Sequence, residues 1–148
     1  MLDLINATKA ALQASATIDY VRDNDIFITP DIRFVRASGE YPAIGIKDNG
    51  TGFGYYASNQ QDDTLGLVVV VYARLLKPEQ AIIGGVTGQP GVLEMAKDVV
   101  TVLRDNKLGD LVETALPTDA GASQLLATSK LSIQMLAVNF KYTREVAV

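Results

Sequence analysis

Four consecutive valines, Val68 to Val71, stand at the centre of an apolar run over residues 65–73, and this run constrains the fold more than any other part of the chain. It shows no polar–apolar alternation, and β-branched side chains fit a pleated strand better than a helix. A strand that is apolar on both sides has to be covered on both faces. The chain must therefore build layers around a central strand at residues 65–76, ended by Lys77 and Pro78. Its 148 residues suffice for one domain, 1–148, that buries roughly two-thirds of the surface its unfolded form exposes.

The surrounding segments supply the layers. Residues 2–16 read as a helix, with Leu2, Ile5, the alkyl stem of Lys9 and Leu12 on one stripe. Thr17, Asp19 and Asp23-Asn24-Asp25 break it, and Ile26-Phe27-Ile28 is a strand fragment stopped by Pro30. Residues 42–47 predict a strand with Ile44 and Ile46 on one face and Pro42 at its start. Gly50, Gly52 and Gly54, followed by polar amides, make residues 48–64 a long loop or a two-stranded arm. A flexible link over residues 82–89 leads to a second helix of about 16 residues, with Pro90 just inside its start. Val92, Met95, Ala96, Val99, Val102, Leu103 and Asn106 form its stripe. Beyond it the period changes to two: a strand at 111–116, a turn at 117–121, a strand at 124–128 and a final strand from 131 to about 142. The final strand turns apolar near Val138, Phe140 and Tyr142, so something covers that end. This order predicts an α+β fold, a mostly antiparallel sheet with two helices packed against it.

Chemistry is restricted by what the chain lacks. Cys, His and Trp are all absent, which removes thiol nucleophiles, histidine bases, disulfides and Cys/His zinc sites. Thirteen Lys and Arg against 17 Asp and Glu give a net charge of −4, unsuited to gripping nucleic-acid phosphates as a main task. Gly50-x-Gly52-x-Gly54 is followed by tyrosines and amides where a dinucleotide fingerprint needs a third spaced glycine opening a helix. Gly84-Gly85 precedes a helix without the lysine or hydroxyl of a phosphate loop, and reads as a hinge or turn. Asp23-Asn24-Asp25 begins like a calcium loop, but Ile28 replaces its glycine and Phe34 its glutamate; the frame from Asp48 fails in the same way at Phe53 and Asn59. Asp62 and Asp63 are neighbours and point to opposite faces of any strand. Ser129-Lys130 lacks the spacing of a Ser-x-x-Lys nucleophile. The reading is a non-enzyme with no catalytic residue, cofactor or metal site. An acid at position 3 and no basic segment before it argue against a secretory signal, and the longest apolar run is about half a membrane span, so the cytoplasm is the expected compartment.

The charge layout is more telling. No basic residue occurs between Lys47 and Arg74, while Asp48, Asp62 and Asp63 lie in that interval. In a ring of identical chains such an arm multiplies its charge into a field. Phe53, Tyr55 and Tyr56 lie among the glycines of the same arm, and exposed aromatics are common at interfaces.

The order of features resembles the tail-terminator and head–tail completion (neck) proteins of tailed bacteriophages. It comprises an N-terminal amphipathic helix, a Pro-x-Ile-x-Ile strand (Pro42 to Ile46), a polar arm, a long valine strand, a helix opening Gly-Val-Leu-Glu-Met-Ala-Lys-Asp-Val (Gly91 to Val99) and a last strand closing Val-Asn-Phe-Lys-Tyr (Val138 to Tyr142). The resemblance spans most of the chain and contains no signature residue. It implies a virion structural protein, made in the host cytoplasm, that assembles with itself as a ring, commonly a hexamer. Such a ring joins the tail tube to the neck or connector proteins, with DNA only as passing cargo, no membrane and no cofactor. Phe53, Tyr55 and Tyr56 would then contact the next subunit or the tube, and Asp48, Asp62 and Asp63 would keep DNA from adhering to the lumen. The competing reading is a small cytoplasmic ligand-binding α+β module with a shallow pocket between sheet and helices; an oxygen-ligated metal hydrolase ranks last.

Overall fold

A computed structural model describes residues 1–36, 38–57, 60–85, 89–128 and 131–147, with the side chains of residues 55–57, 60 and 147 outside the description. The valine run lies at the heart of a six-stranded sheet, as its composition requires. Strands β1 (Ile26–Ile28), β2 (Ala43–Ala57), β3 (Gln60–Arg74), β4 (Thr114–Ala120), β5 (Gln124–Ala127) and β6 (Ser132–Ala147) are ordered β1-β2-β3-β6-β4, with β5 also paired to β6. Among the described residues only the β1–β2 pair is parallel. Helices α1 (Leu2–Ala14) and α3 (Val92–Leu103) pack on one face, and a short α2 (Pro78–Ile82) follows β3. The fold is α+β.

Alternation along β3 builds two cores. Leu65, Leu67, Val69 and Val71 join Ile44, Ile46, Phe140 and Tyr142 beneath Leu4, Leu12, Met95 and Val99 of the helices. Val68, Val70 and Tyr72 point the other way, with Ile133, Met135 and Leu126. The segments over residues 29–36 and 38–42 cover this second face, packing Ile32, Val35 and Tyr41 onto it. Each fully buried Val, Leu, Ile or Phe contributes about 1.5–3 kcal/mol relative to exposure.

One carboxylate fastens that covering segment. Asp25, 2% exposed, accepts hydrogen bonds from Arg22 Nε at 2.8 Å, Arg36 Nη1 at 2.9 Å and the Glu40 backbone N–H at 3.2 Å. Arg36 also lies over the Phe27 ring, 4.5 Å from its centroid. Burial opposes ionisation of Asp25, yet the bonds from Arg22 and Arg36 hold its carboxyl below the usual range. Of the acids that begin like a calcium loop, Asp25 thus serves an internal ion-pair network.

Several boundaries differ from the sequence reading. The first helix ends at Ala14, and a 3₁₀ turn over Ala16–Ile18 follows, where the Ser15 hydroxyl accepts from the Thr17 N–H. Residues 48–57 continue β2, and the arm is three-stranded because β6 runs on to Ala147 opposite Gln60. A bulge at Asn49-Gly50, with Gly50 at φ +87°, absorbs the irregularity in β2. Pro90 lies outside the second helix, since Gly91 is its N-cap and Val92 its first residue. That helix has 12 residues; Arg104 is extended and Asp105, at φ 57°, donates its N–H to Ala115. The expected turn at 117–121 is largely strand: Pro117 to Ala120 belong to β4. As an edge strand, β4 tolerates the missing proline N–H. Of the link at 82–89, Ile82 ends α2 and residues 86–88 lie outside the described residues.

Candidate assembly surfaces

The arm is the far end of the sheet, formed by β2, β3 and β6. Its rows follow from register. On the helix side Phe53, Asp63 and Arg144 stand in one row. Phe53 is 74% exposed, while Asp63 is buried and accepts a 2.7 Å bond from Gln61 Nε2. Leu2 and Val146 are further exposed apolar residues at this end. On the opposite face Gly54, Asp62 and Glu145 form a row, and Gly52, Thr64, Thr143 and Thr114 the next, with the Thr114 and Thr143 hydroxyls bonded to each other. Beyond Ile46, β2 has no strand on its outer side among the described residues, because β1 pairs only with Ile44, Gly45 and Ile46.

The other end of β3 is built differently. A cleft of about 320 Å³ opens there between the end of the strand, the covering segment and α2. Pro42, Ala73, Leu76, Ala81 and Pro90 give it apolar walls, and Arg74, Lys77, Gln80 and Gln89 supply polar groups. Leu76, Ile83 and Leu93 are exposed apolar side chains at this end. Exposed apolar residues thus occur at both ends of a strand that spans about 45 Å at roughly 3.3 Å per residue.

The sequence-predicted residues divide accordingly. Phe53 is an exposed aromatic, and the side chains of Tyr55 and Tyr56 lie outside those described. Asp48 is exposed, with Lys47 Nζ 3.7 Å away. Asp62 and Asp63 face opposite sides of β3 and Asp63 is buried, so the three carboxylates do not share one exposed surface. The sequence reading missed Glu145, which stands beside Asp62, and the paired cations of the cleft. Arg74 closes the long interval without basic residues and Lys77 follows it, and that was their one signal. Among the described residues no group of three acidic side chains could hold a metal ion, and no helix is long and apolar enough to cross a membrane. No protein-family model matches the chain, and none of the curated proteins compared with it does.

Proposed function

We propose that the protein is a structural ring subunit of a phage tail terminator or neck, assembling head to tail with copies of itself between tail tube and connector. The observation that carries this reading is the pair of unlike surfaces at opposite ends of β3: exposed Phe53 and Val146 on the arm, and at the other end the cleft with exposed Leu76 in its wall. A head-to-tail contact uses two different patches on each copy, whereas a two-fold dimer uses one. The polar three-stranded arm further supports it, since a strand edge without a neighbour is a liability in a monomer and an asset in an assembly. Of the three carboxylates expected in a lumen, Asp48 keeps that role, because Asp63 is buried and Asp62 belongs to another face.

The cleft favours one second reading, a small ligand-binding module, since its volume is at the lower end for small-molecule sites. Light scattering across a concentration series separates the two. The ring subunit gives a discrete mass several times 15.9 kDa, whereas a module stays at the monomer mass throughout.

A further inference from the structure

The two ends of β3 are complementary in charge as well as unlike in shape. Arg74 and Lys77 line the cleft, no carboxylate is among its lining residues, and neither cation forms a salt bridge among the described residues. Glu79, in the first turn of α2, is outside that lining. At the arm, half-buried Asp62 and exposed Glu145 are directly opposed in the β3–β6 register, and neither has a salt-bridge partner among the described residues. Like charges directly opposed weaken a strand pair. Arg144 points to the other face and bonds Asp3, and Lys141 lies four residues along β6, about 13 Å away at strand spacing. The third strand offers Gly54 beside Asp62, leaving that row open to an approaching group.

We infer that the cleft of one copy receives the Asp62–Glu145 end of the arm of a second copy, with Arg74 and Lys77 neutralising the acid pair. The inference rests on the ring reading and names its contact. Within one chain the two groups are separated by nearly the full length of β3 and cannot meet. Between copies each end finds its complement, because the acids of the arm meet the cations of the cleft. Repetition of that contact uses both ends of every copy, which a closed ring requires.

Charge reversal tests it. One variant carries Arg74→Glu and Lys77→Glu, the other Asp62→Lys and Glu145→Lys; circular dichroism checks that both fold. Each alone should self-associate at least about tenfold more weakly than the parent, because like charges now face each other. Mixing the two should restore association. Independently, the chain has no cysteine, so Glu145→Cys combined with Lys77→Cys should give a ladder of covalent multimers on oxidation, while Glu145→Cys alone gives at most a dimer. Parent-like association of both reversal variants, without the ladder, overturns the contact and leaves the ring reading standing. A parent chain that stays monomeric at every concentration overturns both.

Discussion

Arg144 on β6 stands directly opposite Asp63 on β3, yet its guanidinium reaches Asp3 instead, with Nη1 donating to Oδ2 at 2.9 Å. The start of α1 is thereby tied to the arm. Asp3 also accepts the Leu4 N–H and lies 3.2 Å from the terminal amine, and the Arg144 bond leads in holding its carboxyl at about 2, against an ordinary 3.8.

A pH dependence follows, with its sign fixed by the lowered value. The native state binds the Asp3 proton less readily than the unfolded chain, so the contribution is complete above about pH 3.8 and is lost as pH falls toward 2. Asp25 is lowered as well and acts in the same direction. Urea midpoints measured from pH 5 to pH 2 should fall steadily in the parent. Asp3→Asn should flatten part of that fall. An unchanged slope in the variant would count against the Asp3–Arg144 tie.

Asp25→Ala should destabilise by about 3 kcal/mol, because it leaves Arg36 largely buried without its carboxylate. Arg22 is mostly exposed, and Arg22→Gln should cost under about 1 kcal/mol. Equilibrium urea unfolding reads both. Equal losses in the two variants would mean that Asp25 is not the hub of the network.

Leu67→Ala and Phe53→Ala contrast core with surface. Leu67 is fully buried beneath the helices, and its truncation should cost about 2–5 kcal/mol. Phe53 is mostly exposed, so its truncation should alter monomer stability by less than about 0.5 kcal/mol while weakening self-association. Loss of several kcal/mol on Phe53→Ala would place that ring in the core of its own subunit.

Gly84 has φ +85°, and a Cβ there would lie 1.7 Å from Glu94 Oε1 and 2.7 Å from the Gly91 nitrogen. Gly84→Ala should therefore displace the α2–α3 junction and cost about 1–3 kcal/mol by denaturant unfolding. Gly85, also at positive φ, meets no atom of the described residues within 4 Å, so Gly85→Ala should cost less. The reverse order would contradict the packing of Glu94 against this turn.

What the sequence made legible was the part written in side-chain pattern. The valines, Ile44 and Ile46, and Met95 and Val99 declare their faces, and each lies in the core. The rest depends on backbone partners that sequence does not carry. Residues 143–147 are mostly polar and show no strand pattern; they extend β6 because residues 60–64 pair with them. Pro117 reads as a turn until the strand is known to be an edge. Helix α2, five residues long, is too short to show a period. The cleft joins Tyr41 and Pro42 to residues 73–81 and to Gln89 and Pro90, segments far apart in the chain. The arm was legible as an arm, but its acid pair was not, since Asp62 and Glu145 meet only through the β3–β6 register.

The central claim is closure into a ring, and negative-stain electron microscopy of the concentrated protein tests it most directly. Closed annuli of uniform diameter with a central opening are the expected result. Isolated monomers, or two-fold dimers without an opening, would contradict it.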